Sequence, residues 1–402
     1  MAAVHPILAH DMKLEFGKTG PGTLAGKYLR QFWQPVLNSE DLLPGKSKPI
    51  RIMSENFTLF RGEGGRASVI AERCSHRSSF LHTGWVEGDE IRCLYHGWKF
   101  DADGRCVEQP NEKTPFLSRA GVKSYPTREH LGLIFCYFGE GEPPPFPPFP
   151  AFEDDGFVET RSTVYPCNWF QTHENNNDPC HIIWSHGHGI THADFLTLDM
   201  SVQPEPQETP YGTVNVWHFS GLDMVMVGFL PNAIRTIVPS PNGLLKGGLC
   251  PQYRDTYLIH VPVDDESHIF FRTQQIRVFG EAKERYIAAR EKMKADWRAH
   301  WKSDVWYMEE IFAGRLHLAD IPDHPYLATI QDMVAQAGQG RNVDRSLEKL
   351  GLSDRHLGFL RRIMAREMSL LAGGQPTKRW EVMQDCPELT DAKRKFIAAG
   401  TM

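Results

Sequence analysis

The spacing of apolar residues changes several times along the chain. TLAGKYLRQFWQPV places them at helical intervals and predicts one short amphipathic helix within an N-terminal segment, residues 1–45. From 46 to 140 the period shortens to two. RIMSENFTLFRGEGGRASVIAERC is cut by glycine into short alternating runs, and LIFCYF is a strong apolar run near the end, so both predict strands. GEGEPPPFPPFPAFEDDG follows. Prolines at this density suit neither a helix interior nor an inner strand, so 141–156 is expected to be a stiff linker between domains.

Residues 157–402 mix both periods. NWFQTHENNNDPCHIIWSHGHG predicts a helix ended by Gly187 and Gly189. TVNVWHFSG, DMVMVGFLP and SHIFFRTQQIRVFG predict strands, 281–312 a charged surface helix, and 326–370 two further helical stretches. The expected class is α+β: an all-β domain over 46–140, then a larger domain in which a sheet carries helices at both sequence ends.

Composition narrows the function. A chain of 402 residues can hold two or three domains, and its net charge of -6 gives no reason to expect nucleic acid or an anionic membrane as partner. No run approaches the roughly 18 apolar residues of a membrane span. The N-terminus lacks a basic segment followed by a long apolar one, so no signal peptide is expected. Eight cysteines spread through so long a chain do not make a disulfide framework, and a cytoplasmic location is expected.

The candidate chemistry lies in two places. The first is ERCSHRSSF, continued by LHTGWVEGDEIRCLYHGWKF, with Cys74 and His76, then Cys93 and His96. A zinc knuckle takes like pairs such as Cys-x2-Cys. Mixed pairs suit a [2Fe-2S] centre in which two Cys hold one iron and two His the other, each loop giving one ligand to each metal. The other cysteines, Cys106, Cys136, Cys167, Cys180, Cys250 and Cys386, read as ordinary semi-buried residues. The second place is Glu174-x3-Asp178-x2-His181-x4-His186. Two His near a carboxylate suggest the facial triad of non-haem Fe(II) oxygenases. On a helix Asp178 and His181 share a face, so the Asp178 carboxylate would hydrogen-bond the non-ligating nitrogen of His181. His186 is five residues on and reaches the same metal only if the helix ends or distorts.

CSHR and CLYHGWKFDADGRC resemble the Rieske family closely. GTLAGKYLRQFWQPV, NWFQTHENNNDPCHIIWSH, VPVDDESH and IQDMVAQAGQGRNVDRSLEKLGLSDRHL extend the resemblance to Rieske non-haem iron oxygenases of the phthalate-dioxygenase-like group. Ser79 and Tyr95 stand where the respiratory branch carries two bracing cysteines, and Ser78 stands where the oxygenase branch usually has Gly. The resemblance implies a Rieske domain followed by a helix-grip-like catalytic domain with an antiparallel sheet. It implies Asp332 as the third iron ligand, with Asp320 and Asp323 as rivals, and gives His173, His188 and His192 no ligand role.

It further implies a terminal oxygenase that hydroxylates or dihydroxylates an aromatic, carboxylated substrate with O2. Electrons would come from NAD(P)H through a flavin reductase with a ferredoxin-type domain, or through a separate ferredoxin. An O- or N-demethylase is the alternative within enzymes, and a pure electron-transfer protein the alternative outside them. The family assembles as a homotrimer or a dimer of trimers, in which Asp178 would bridge His181 to His96 of the next subunit. Arg73, Arg77, Arg92, Lys99 and Arg105 flank the cluster ligands and would suit an acidic electron donor, although Glu72, Glu87, Asp89 and Glu90 lie among them. Asn232 and Arg235 are the candidate substrate contacts, Arg235 pairing either with a substrate carboxylate or with a structural acid.

Overall fold

Alternation becomes sheet almost wherever it occurs. The computed structural model describes residues 15–147, 156–178, 180–186, 205–219, 222–239, 253–381, 387–391 and 394. Within the first half, Lys46–Ile52, Glu55–Arg61, Ala67–Ala71 and Ser124–Tyr125 form one antiparallel sheet in that order. Trp85–Glu87, Glu90–Arg92, Lys99–Phe100 and Cys106–Glu108 form a smaller one that carries the second Cys/His pair. Leu133–Tyr137 lies between Trp33–Asn38 and Thr127–His130 in a third.

The N-terminal helix is shorter than its pattern predicts. It covers Leu24–Leu29, with the Thr23 hydroxyl capping it by accepting from Gly26 N at 3.2 Å. Trp33–Asn38 is a strand instead. Pro35 cannot donate inside a helix. On this outer strand, beside a register shift between Pro35 and Leu37, the missing N–H costs little. Part of the proline-rich linker, 148–155, lies outside the described residues.

The second half is built on a seven-stranded antiparallel sheet. Its order is Phe157–Tyr165, His268–Ile276, Tyr253–Pro262, Ala233–Pro239, Leu222–Leu230, Gly212–Phe219 and Gln207–Thr209. Successive side chains point to opposite faces. One face presents Val227, Ala233, Tyr257, Ile259 and Phe271 to a core shared with Tyr28, Leu29 and Trp33. The other presents Met226, Ile234, Leu258 and Phe270 to Met308, Met333, Ile182 and Ile183. That second face underlies the candidate site.

Two helical expectations change. The charged segment forms two helices, Gly280–His300 and Asp304–Phe312, because Ser303 restarts the backbone by accepting from Trp306 N at 3.2 Å. The helix expected across the His motif stops at Trp169–Asn175, where Asn176 and Asn177 turn. Pro179 follows in sequence and disfavours helical backbone at the residue before it. Helical structure resumes at Cys180 and becomes a π-helix over Ile182–His186. Gly187 and Gly189 lie outside the described residues, as do His188 and His192.

Candidate metal centres

The two Cys/His loops are built alike. Cys74 N donates to Ser79 O at 2.8 Å and Ser78 N to Cys74 O at 2.9 Å; Cys93 N donates to Trp98 O at 2.8 Å and Gly97 N to Cys93 O at 3.1 Å. Each loop therefore reverses through a left-handed residue at its fifth position, Ser78 at φ 59 and Gly97 at φ 73. Glycine is the residue for this place because a Cβ costs about 1–2 kcal/mol there. Ser78 bears that cost, and glycine's extra freedom in the unfolded chain offsets part of the gain from removing it. Ser78→Gly is expected to stabilise the loop by about 0.5–1 kcal/mol, read as a higher temperature for loss of the cluster's visible absorption.

The loops bring four donors together. Cys74 and Cys93 are buried, and burial pushes the Cys74 thiol up to about 11, with the Cys93 sulfur adding to the rise. The His76 ring stacks on Trp98 at 4.5 Å and meets His96 edge-on at 4.5 Å. His76 Nδ1 is buried with no hydrogen-bond partner among the described residues. A buried thiol that resists ionisation, beside a second buried sulfur and an orphan imidazole nitrogen, becomes favourable once metal cations bind the sulfurs and the free nitrogen. The four residues fit a [2Fe-2S] cluster held by two Cys and two His.

The second centre is assembled from the interrupted helix and from Leu327–Ala337. His181, His186 and Asp332 each offer one ligand atom, all within 4.8 Å of one another. Asp332 Oδ1 lies 3.8 Å from His181 Nε2 and 3.4 Å from His186 Nε2. In an α-helix the fifth residue on would point well away from the first. The i→i+5 hydrogen bonds of the π-helix widen the turn and return His186 toward His181, a common use of such turns at functional sites. Burial opposes the charged form of His186, but hydrogen bonding and charge from Asp332 outweigh it and raise the imidazole above its usual value. Asp320 and Asp323 are exposed, and Asp320 caps a short turn by accepting from His317 N at 2.8 Å.

The outer nitrogens of both histidines are occupied. His186 Nδ1 lies 3.0 Å from Gln331 Oε1, an acceptor, so Nδ1 carries the proton and Nε2 keeps its lone pair for a metal. His181 Nδ1 donates to the backbone carbonyl of Asp178 at 2.5 Å, not to its carboxylate, whose nearest oxygen is 4.0 Å away. The expected side-chain contact fails because no helix runs through Asp178 to bring i and i+3 onto one face. The Asp178 carboxylate instead accepts from Cys180 N at 2.8 Å. Asn175 Nδ2 donates to Asp332 Oδ1 at 3.2 Å and lies 3.4 Å from His181 Nε2. Sequence reasoning missed Asn175 and Gln331; the adjacency of Gln331 to Asp332 was the available signal.

The remaining motif residues are structural. Glu174 is buried and binds Arg345 at 2.8 Å and Arg361, tying its helix to Arg355–Ala372. His173 is buried with its Nδ1 3.2 Å from His260 Nδ1, and burial holds it neutral, at about 3.

Asn232 and Arg235 face away from the site. The Asn232 amide donates to Gln34 Oε1 at 2.6 Å and to the His260 carbonyl at 2.9 Å. Arg235 opposes Val227 and Tyr257, both on the sheet face that packs into the N-terminal core. It grips Asp255 with two hydrogen bonds, of 2.9 and 2.7 Å, with the side chains 5% and 1% exposed. This is the structural-pair reading of Arg235. Arg235→Met is expected to leave Asp255 buried without this partner and to destabilise the fold by about 3–5 kcal/mol, measured by denaturant unfolding.

Comparison with known proteins agrees with this arrangement. Residues 32–126 match the Rieske [2Fe-2S] domain. The 5,5'-dehydrodivanillate O-demethylase oxygenase subunit of Sphingobium sp. (strain NBRC 103272 / SYK-6) is 31% identical over 92% of this chain and 83% of its own length. The phenoxybenzoate dioxygenase subunit alpha of Ectopseudomonas oleovorans is 30% identical over 88% and 84%. Among solved structures, the oxygenase in the oxygenase–ferredoxin complex of carbazole 1,9a-dioxygenase superposes with a TM-score of 0.64 over 93% of this chain and 98% of its own, at 20% identity. No described helix is long and apolar enough to cross a membrane. Relatives that are oxygenase subunits over nearly the whole chain exclude a bare electron carrier, and a [2Fe-2S] cluster and a mononuclear iron are the cofactors of such subunits. The chain thus belongs to the Rieske non-haem iron oxygenases, as the alpha, or terminal oxygenase, subunit of an aromatic ring-hydroxylating type of system.

Proposed function

We propose that this oxygenase inserts oxygen into an aromatic carboxylate. The observation that carries the reading is the convergence of His181 Nε2, His186 Nε2 and Asp332 Oδ1 above an apolar sheet face. Such a half-shell leaves positions open for O2 and lets an aromatic ring lie beside them. Bound iron and cluster would supply electron transfer and oxygen activation. In this reading Cys74 and Cys93 hold one iron of the cluster, His76 and His96 the other, and His181, His186 and Asp332 hold the mononuclear iron. Gln331 and the Asp178 carbonyl keep the two imidazoles in the tautomer that ligates. Curated relatives named for phenoxybenzoate, 3-chlorobenzoate and phthalate support an acidic aromatic substrate.

Ring hydroxylation or dihydroxylation is the leading reaction. O-demethylation of an aryl methyl ether is the second, because the relative matched over 92% of this chain is an O-demethylase. Oxygen uptake across a panel of aromatic carboxylates, with formaldehyde assayed, tests both: formaldehyde in step with uptake selects demethylation, and no uptake with any acid overturns the carboxylate reading.

The electron donor in this reading is an NAD(P)H-dependent flavin reductase with a ferredoxin-type domain, or a separate ferredoxin, docking near the cluster. Arg92 and Lys99 are committed within their own sheet, Arg92 to Glu87 and Glu108 at 2.9 and 2.8 Å and Lys99 to Glu90 at 2.8 Å. Arg73 and Arg77 are exposed beside the cluster loops and are the better candidates for an acidic donor. A homotrimer or a dimer of trimers is the proposed assembly.

A further inference from the structure

We infer that Gln171 is a positioning residue for the mononuclear iron: it locks the helix Trp169–Asn175 against Leu327–Ala337 and so sets where Asp332 stands relative to the two histidines. Gln171 is 2% exposed, and its amide is engaged through both nitrogen and oxygen. Nε2 donates to the carbonyls of Gln336 at 2.9 Å and Gly340 at 3.0 Å, and Oε1 accepts from Val343 N at 3.1 Å. These groups lie at and just beyond the C-terminal end of Leu327–Ala337, where a helix leaves carbonyls without internal partners. The neighbouring Thr172 hydroxyl donates to Gln336 Oε1, and both of those side chains are buried as well.

The contacts run in order along the two helices. Asn168 N donates to Arg341 O at 2.7 Å, Gln171 and Thr172 engage Gly340 and Gln336, and Asn175 Nδ2 reaches Asp332 Oδ1 at 3.2 Å. Numbers rise on one side as they fall on the other, so the helices lie antiparallel in a fixed register. Gln171 and Asn175 share a face of the first helix, and Asp332 and Gln336 a face of the second. Gln171 therefore holds the register one turn away from the ligand without touching it. The apolar anchors of Leu327–Ala337 are less exacting. Leu327 and Ile330 pack with Tyr307 and Ile321, and Met333 packs with Met308. Such contacts are non-directional. A slip by one residue would carry Asp332 about 1.5 Å along the axis, whereas ligand distances at a metal hold to about 0.2 Å. Directional hydrogen bonds from buried side chains supply that precision.

The inference rests on the reading of His181, His186 and Asp332 as iron ligands, and the experiment separates the two. Protein that keeps its cluster but is stripped of the mononuclear metal is dialysed against Fe(II) without oxygen, and bound Fe(II) gives the affinity. Electron paramagnetic resonance of the nitric oxide adduct reports the geometry of the bound metal. Gln171→Leu is expected to weaken Fe(II) binding by about 10–100-fold, the usual effect of losing a group that orients a ligand, and to shift the resonance. Thr172→Val is expected to act in the same direction by less, and Thr172→Ser, which keeps the hydroxyl, to match wild type. Arg235→Met removes a buried pair from the other face of the sheet and controls for lost stability: its folded form is expected to keep both affinity and resonance. Wild-type affinity in Gln171→Leu, or an equal loss in Arg235→Met, overturns the inference. Should Gln171→Leu fail to fold, equal affinities of Thr172→Val and Thr172→Ser overturn it. Wild-type affinity in His181→Ala overturns the ligand reading, and the inference with it.

Discussion

Replacing His181 by alanine is expected to abolish O2-dependent turnover while leaving the visible absorption of the cluster unchanged. The two donor sets sit in separate cores. Cys74 and Cys93 pack with Phe60, Ile70, Leu81, Ile91, Trp98 and Phe100. His181 and His186 flank Ile182 and Ile183, which pack on the seven-stranded sheet with Met308 and Met333. Removing one Nε2 leaves one imidazole and one carboxylate. Loss of a supporting partner alone weakens metal binding by about 10–100-fold, so loss of a ligand should exceed that. Iron content should fall with acid-labile sulfide unchanged. A cluster spectrum lost from a protein that stays folded would show that the two centres are not independent.

Asp178→Asn is expected to keep both metals and lose most turnover. The geometry isolates the charge. His181 is held by the Asp178 backbone carbonyl, which the substitution keeps, and the Cys180 N–H can be accepted by an Asn side-chain oxygen as it is by Asp. What disappears is a partly buried anionic carboxylate whose second oxygen lies 4.0 Å from the His181 ring. Burial raises that carboxyl above its usual range, with His181 drawing it back. In an assembled oligomer this carboxylate is the group proposed to meet His96 of the next subunit. A fall of about 10–100-fold in the rate at which the reduced cluster is oxidised in a single turnover is the expected result. Unaltered single-turnover rates would remove Asp178 from the path between the centres.

The sequence was most legible where chemistry and turn geometry coincide. Cys74, His76, Cys93 and His96 were readable because few sites pair one thiol with one imidazole in each of two tight loops. The strand runs were readable because alternation and sheet share a period. Trp33–Asn38 was misread because its residues continue an apolar pattern begun by a true helix, and only pairing with Leu133–Tyr137 decides its state. Arg235 stayed open in the sequence, between a substrate carboxylate and a structural acid, for a different reason. Period two divides a strand into two faces but does not say which one a catalytic helix covers. A residue one position out is on the wrong side of the sheet. Asn175 and Gln331 escaped notice because an amide that orients a ligand has no spacing rule of its own.

The π-helix makes the segment between the two histidines one-sided in the length changes it can absorb. Deleting one residue from Ile182–Ser185 would turn the i→i+5 turn into an ordinary α-turn, and rings four apart still share a face. Inserting one would demand a turn wider than any regular helix supplies and carry the second ring out of reach of Asp332. Shortening by one residue is therefore expected to be the better tolerated change at this point, and lengthening to weaken metal binding, read as the iron content of the two variants.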